Sequence, residues 1–422
     1  MPIAPVPLFG VAQKLSQGHA VTTILLAMVA MTLTAFSYGR MAALYPAAGS
    51  AYTYVGRGLN PHLGFLAGWA MFLDYLLVPL LCTIYGALTV HRLVPQIPYA
   101  VWAALFAGAM TVVNLRGIRA TVNTNLVLLV VMSTVIIAFM VLAVRMLFHQ
   151  QGWPGLFSTA PFYDPSKFHL ASIATGTSLA ALTYGGFDGV TTLAEDVENP
   201  RRNVLLATVF VCLFTGIFGG LQIYLAQRVW PDFTTFPEVE TAFMDVTRLV
   251  AGAWLFHAVA GILILASLGA GLSAQAGVSR LLFGMGRDNV LPRRVFAYLD
   301  PKRNTPTYSI LLVGLFAFLG ALRLNYERTA ELINFGAFLA FMGVNASVIR
   351  QFYFRNGSRD KRLLWDALTP ALGFLFCLII WLSLPTPAKV MGALWFLVGI
   401  AYDAVKTRGF RTAPAMVDFS ES

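Results

Sequence analysis

The stretch TYGGFDGVTTLAEDVENPRRN, residues 183–203, decides how this chain is read, because it carries an acid and three glycines through the middle of an apolar run. Gly185, Gly186 and Gly189 surround Phe187 and Asp188, and glycine lowers the cost of leaving helical geometry. The composition predicts an interrupted helix there. Backbone groups freed at membrane depth find no partner in lipid, so the break must face protein or a wet cavity. That outlines a binding site; the competing explanation is a kink made for packing.

The rest of the chain supports a membrane setting. Of 422 residues, 58% are hydrophobic and 11% charged, against roughly 45–50% and about 25% in soluble domains. So much apolar surface needs lipid rather than a solvated shell. The net charge of +10 would point to nucleic acid in a soluble chain, but no basic helix or aromatic-interleaved patch accompanies it, so no nucleic-acid partner is expected. Cys82, Cys212 and Cys377 sit singly in apolar runs without CxxC spacing, which excludes a disulfide framework and a zinc site. The six histidines form no HExxH or triad-like group. Neither an enzyme, a metal nor a cofactor is expected, and no obligate protein partner is evident.

Apolar stretches of membrane-crossing length lie near 20–39, 64–90, 97–115, 121–147, 170–196, 203–226, 252–283, 307–323, 329–349, 367–385 and 388–405. If the loop after the first is cytoplasmic and loops alternate, twenty of the 29 lysines and arginines fall inside. That bias places the C-terminus of a multi-pass membrane protein in the cytoplasm. The loop at 228–251, with Asp232, Glu238, Glu240 and Asp245, falls outside. The opening MPIAPVPLFGVAQ is apolar but short, and Pro5 and Pro7 argue against a regular helix. It lacks the charged start and small-residue cleavage site of a signal peptide.

Ionised side chains are costly at the bilayer centre, and the span list leaves only Asp74 and Asp188 well inside. Asp74, beside Tyr75 and near Trp69, is either a carboxylate satisfied by its neighbours or one that binds a cation or proton. Glu195, Asp196 and Glu198 with Arg201 and Arg202 close the interrupted span as a structural clasp, a gate latch, or both.

Several segments resemble the amino acid–polyamine–organocation permeases: GRMAALYPAAGSAYTYVGR at 39–57, GGFDGVTTLAEDVENPRRN at 185–203 and GLSAQAGVSRLLFGMGRDNVLPRR at 271–294. NPHLGFLAGW, FLDYLLVP and LINFGAF at 332–338 add to the likeness, which is greatest to the bacterial putrescine importers and covers nearly the whole chain. The resemblance implies an all-α, LeuT-like five-plus-five inverted repeat in one transmembrane domain over residues 1–405. Its repeats would run approximately over 1–147 and 170–350, followed by two extra helices near 367–405 and a cytoplasmic tail at 406–422. It also implies eleven full helices and a partial first helix, the sequence opening at that helix's break. Alternating access would work around a site at the two breaks, with Pro2, Ile3, Ala4 and Pro5 in the first, Tyr184 to Gly189 in the second, and Asn334 nearby.

Two departures bear on the substrate and its coupling. The Gly-Ser-Gly that holds an amino acid's carboxylate in many relatives is replaced here by PIAPVPLFG, and a lysine that many carry in helix five is matched by Val130. The first favours a substrate without a carboxylate; the second argues against a lysine-based proton mechanism. The expected function is import of a small cationic amine, putrescine or a related polyamine. Asp188 and Asp74 would supply charge, and Trp69, Tyr75, Tyr184 and Phe187 aromatic faces. Proton coupling is compatible with this but not required. An amino acid permease is the alternative, and a transporter-like nutrient sensor a remote one.

Overall fold

The computed structural model describes residues 1–45, 50–117, 122–193, 197–287, 291–355 and 362–414, and every regular element among them is a helix. In chain order these are α1 Phe9–Leu15, α2 Ala20–Leu44, α3 Ser50–Gly58, α4 Pro61–Leu93, α5 Tyr99–Leu115, α6 Val122–Gln151, α7 Trp153–Leu156 and α8 Leu170–Ala180. Then come α9 Pro200–Val229, α10 Ala242–Ala251, α11 Ala253–Arg287, α12 Arg293–Phe296, α13 Thr307–Ala321, α14 Tyr326–Val348, α15 Thr369–Leu382 and α16 Thr386–Lys406. Among the described residues eight helices are long and apolar enough to cross a membrane, and α5 and α13 are shorter apolar helices. The 25 residues of α2, at about 1.5 Å each, exceed a hydrocarbon core of about 30 Å.

The chain forms two compact units. The first comprises Met1–Ile24, Tyr75–Ala180 and Phe218–Ala330. In it Phe9 of α1 packs against Phe236 and Phe243, with ring centroids 5.5 and 5.8 Å apart. A buried polar network ties three helices: Asn114 of α5 donates to Gln275 of α11 (2.9 Å), which donates to Thr111 (3.0 Å) and to the Ile310 carbonyl of α13 (3.2 Å). Satisfied inside, such groups hold one register because any slip would strand them. Arg92 of α4 binds both carboxylate oxygens of Asp245 on α10, at 2.6 and 2.7 Å.

The second unit comprises Leu25–Asp74, Ala181–Ile217 and Glu331–Ser422. Here α14 approaches α4 so closely that a Cβ at Gly336 would overlap the Ala70 carbonyl. Trp69 and Trp395 stack at 4.8 Å, and each indole donates to the other's carbonyl, at 2.9 and 3.0 Å. Arg40 at the end of α2 pairs with Asp366 (2.6 Å) and lies 3.9 Å over the Phe352 ring. The turns Ile349–Phe354 and Leu364–Leu368, which carry Phe352 and Asp366, are π-helical.

The span list understates the buried acids. Glu331, Asp366 and Asp403 are 4%, 6% and 1% exposed. Glu331 was missed because the apolar stretch starts near 329, whereas α14 begins at Tyr326 and carries Glu331 inside its second turn.

Close backbone approach at Gly336 yields a direct stability test. Gly336→Ala is expected to lower the unfolding midpoint of the detergent-solubilised protein, in line with an overpacking cost of about 1–3 kcal/mol. Gly108→Ala, inside α5 and with a Cβ that meets nothing within 4 Å, should leave it unchanged or raise it slightly, since alanine favours a helix interior over glycine. Size-exclusion thermal melts check both.

Candidate functional site

The interruption expected at 183–189 is present. Helix α8 ends at Ala180, a 3₁₀ turn runs Ala181–Tyr184, and a second runs Asp188–Leu193. Backbone bonds across it span three residues rather than four: Gly185 to Leu182 (3.0 Å), Phe187 to Tyr184 (3.3 Å) and Gly189 to Gly186 (3.1 Å). Gly186 has φ +92°, a conformation that L side chains rarely adopt. A Cβ built on Gly186 or Gly189 meets no atom within 4 Å, and Gly185 and Gly186 are exposed although they sit in an apolar run. Open space therefore borders the break.

Asp188 opens the second 3₁₀ turn and is 4% exposed. Thr191, fully buried, donates its hydroxyl to the Asp188 carbonyl (2.6 Å) and stands 3.3 Å from the Ser50 hydroxyl of α3. Because the Thr191 proton is already committed, Ser50 is the donor in that second contact. Phe187 packs into an aromatic cluster, edge-to-face with Tyr38 (5.4 Å) and tilted against Phe341 (5.2 Å), and Tyr38 meets Tyr54 edge-to-face at 5.9 Å. Each such pair is worth about 0.5–1.5 kcal/mol beyond burial, so the cluster anchors the break from behind. The charge of Asp188 reaches Asp74 on α4, Tyr54 on α3 and Cys212 on α9. Asp74 is half-buried.

The remaining expected residues divide by place. Tyr184 is 3% exposed and next to the break, and Asn334 of α14 is 4% exposed in the same unit. Trp69 also belongs to that unit, but its ring is taken up by Trp395 and by Tyr402 at 5.9 Å. Phe187, 1% exposed, is likewise spent on packing. Sequence locates aromatic residues on a helix without showing which ring faces are already covered. Tyr75 and the opening residues belong to the first unit. Residues 2–8 form successive three-residue turns, with Ala4 bonded to Met1 (3.1 Å) and Val6 to Ile3 (3.0 Å), as the prolines require. Gln222 of α9, fully buried, donates to the Pro2 carbonyl (2.8 Å). Val130 is exposed on α6.

Of the clasp, Glu198 and Arg202 are both exposed, and the Glu198 carbonyl accepts from the Asn203 side chain (2.6 Å). Glu195, Asp196 and the side chain of Arg201 lie outside the described residues. Tyr38, Tyr54, Thr191 and Phe341 escaped sequence reading. Tyr38, Tyr54 and Phe341 are set apart from the acid–glycine motif, and Thr191, though within the quoted stretch, is marked by no local pattern.

A multi-pass helical membrane protein with a buried carboxylate at an interrupted helix is the class that these features define. The amino acid permease family matches residues 6–400, and the chain belongs to that family, within the amino acid–polyamine–organocation superfamily. It is 34% identical over 409 residues to the low-affinity putrescine importer PlaP of Escherichia coli, covering 96% of this chain and 89% of that one. It is 25% identical to the branched-chain amino acid permease BcaP of Lactococcus lactis, over 93% of this chain and 87% of the other. It is 27% identical to the vacuolar cationic amino acid transporter 4 of Arabidopsis thaliana, over 77% and 56%. The protein is a membrane transporter of amino acids or polyamines, and not an enzyme.

Gly186→Leu should reduce uptake to background while leaving membrane expression intact, since the side chain would fill the open space and strain the φ. Uptake by cells expressing equal amounts of each protein measures this, and unaltered kinetics would contradict a functional break.

Proposed function

We propose that this permease imports a small cationic amine, putrescine or a related polyamine, by alternating access. The observation that carries the proposal is a nearly buried carboxylate, Asp188, at a helix break bordered by open space. A buried carboxylate favours an ammonium partner, because either charge alone would be costly to desolvate. Asp74, within the field of Asp188, is the second carboxylate for a diamine, whose two ammonium groups would offset the repulsion between the two acids. Tyr184, the Gly185–Gly189 backbone and Asn334 offer polar and aromatic contacts. The likeness to a putrescine importer supports the same class.

The energetics suit a dication. Entry into a negative interior is worth about 2.3 kcal/mol per charge per 100 mV, hence about 4.6 for two charges. That supports more than ~1,000-fold accumulation without a coupled proton. The excess of basic residues in alternate loops supports a cytoplasmic C-terminus. Glu198, Arg202 and their neighbours serve as a clasp at the cytoplasmic end of the broken span.

An amino acid substrate is the second reading, favoured by the likeness to a branched-chain permease. Its carboxylate would rest on N–H groups at the breaks. Competition in membrane vesicles separates the two: unlabelled diamines should displace labelled putrescine, and amino acids should not. The reverse result removes the polyamine assignment. Asp188→Asn should lower uptake of a diamine at least tenfold with expression preserved, as expected when about 1.5–3 kcal/mol of charge-assisted bonding is lost. Near wild-type uptake would reduce Asp188 to a packing role.

A further inference from the structure

A second carboxylate, remote in sequence from the break, lies in the first unit. Glu240 sits in the 3₁₀ turn Val239–Thr241 before α10, is half-buried, and accepts the Tyr326 N–H at the start of α14 (3.2 Å). Capping a helix N-terminus explains a carboxylate there, but it does not explain the surroundings. Tyr85 of α4 is 3% exposed, and its ring lies 5.3 Å from that of Tyr326. Its hydroxyl is buried and has no hydrogen-bond partner among the described residues. Burying a hydroxyl without a partner is unfavourable, so a donor or acceptor brought beside Tyr85 would be stabilising there.

The charge of Glu240 reaches Tyr85, Tyr99 and Tyr326. Tyr99 donates its hydroxyl to the Ala321 carbonyl (3.1 Å), which leaves its ring as the available surface. Burial holds the Glu240 carboxyl above its ordinary range, and the charges of Glu238 and Glu327 add to the rise. Arg92, two turns beyond Tyr85 on α4, is occupied by Asp245, while Arg328 is exposed, where solvent screens it. A carboxylate beside tyrosine rings and an unsatisfied phenol matches the chemistry of an organic ammonium: charge pairing, cation–π contact and an N–H donor for the phenolic oxygen. A small hard cation would instead need several oxygen ligands.

We propose that Glu240, Tyr85, Tyr99 and Tyr326 form a second binding site for an organic ammonium, distinct from Asp188, which loads substrate from the acidic-loop side of the membrane. The ligand class rests on the cationic-amine reading above; the site itself does not depend on Asp188. At low external pH Glu240 protonates and the site weakens. The carboxyl's raised range means that this loss begins at a higher pH than for an ordinary glutamate.

The test is equilibrium binding of labelled putrescine to the full-length protein in nanodiscs, using wild type, Asp188→Asn, Glu240→Gln and the double variant. The glutamine amide introduced by Glu240→Gln keeps an oxygen for the Tyr326 N–H, so the α14 cap survives while the charge goes. The expected result is residual saturable binding in Asp188→Asn, weakened roughly fivefold or more by Glu240→Gln and by Tyr85→Phe. Choline should displace it, whereas exchanging sodium for potassium at constant ionic strength should not. Identical residual binding in Asp188→Asn and the double variant, no residual binding in Asp188→Asn, or displacement by sodium overturns the second site. Full putrescine uptake by Asp188→Asn overturns the central reading instead. No saturable putrescine binding in any variant, with choline also without effect, overturns the ammonium class for both.

Discussion

Lipid supplies no hydrogen-bond partners, and the rest of this structure answers to that constraint where the chain leaves helical geometry between Ala180 and Asp188. A regular helix satisfies its own backbone; an interrupted one must be held from outside. The three-residue bonds through Tyr184–Gly189 replace part of what is lost. Phe187 is gripped by Tyr38 and Phe341, and Thr191 takes the Asp188 carbonyl. The break is thus a built element with one side packed and the other open, which is the asymmetry a binding surface needs.

That asymmetry also explains how residues share the work. Aromatic side chains near the break are mostly structural: Phe187 sits in the cluster with Tyr38 and Phe341, and Trp69 is locked to Trp395 by stacking and reciprocal hydrogen bonds. In the proposed reading the charge falls to Asp188 and Asp74. Small residues do the complementary job of bringing backbones together, as Gly336 does against Ala70. Part-buried charge pairs such as Arg40–Asp366 and Arg92–Asp245 join helices and loops within their respective units. A charge pair of that kind is costly to break from one side.

Much of the site was legible because its clue is local. Three glycines and an aspartate within five residues are incompatible with an ordinary apolar helix, and the structure interrupts the helix at that point. The proline-rich opening was legible for the same reason, since proline removes a donor wherever it stands. Glu331 and Tyr85 were not. Glu331 reads as a span boundary until the true start of α14 is seen, and nothing in the sequence around Tyr85 shows that its hydroxyl lacks a partner.

Composition and local pattern by themselves determined that the chain is a helical membrane protein, where its apolar stretches lie and where one of them breaks. These follow from the free energy of placing each residue type in lipid and from backbone constraints acting over a few neighbours. Which rings are covered, which carboxylates feel one another, and that Ser50 and Thr191 brace Asp188 were decided only by tertiary structure. Those facts depend on helices remote in sequence arriving side by side, and side-chain packing, unlike hydropathy, has no signature readable along a single strand of residues.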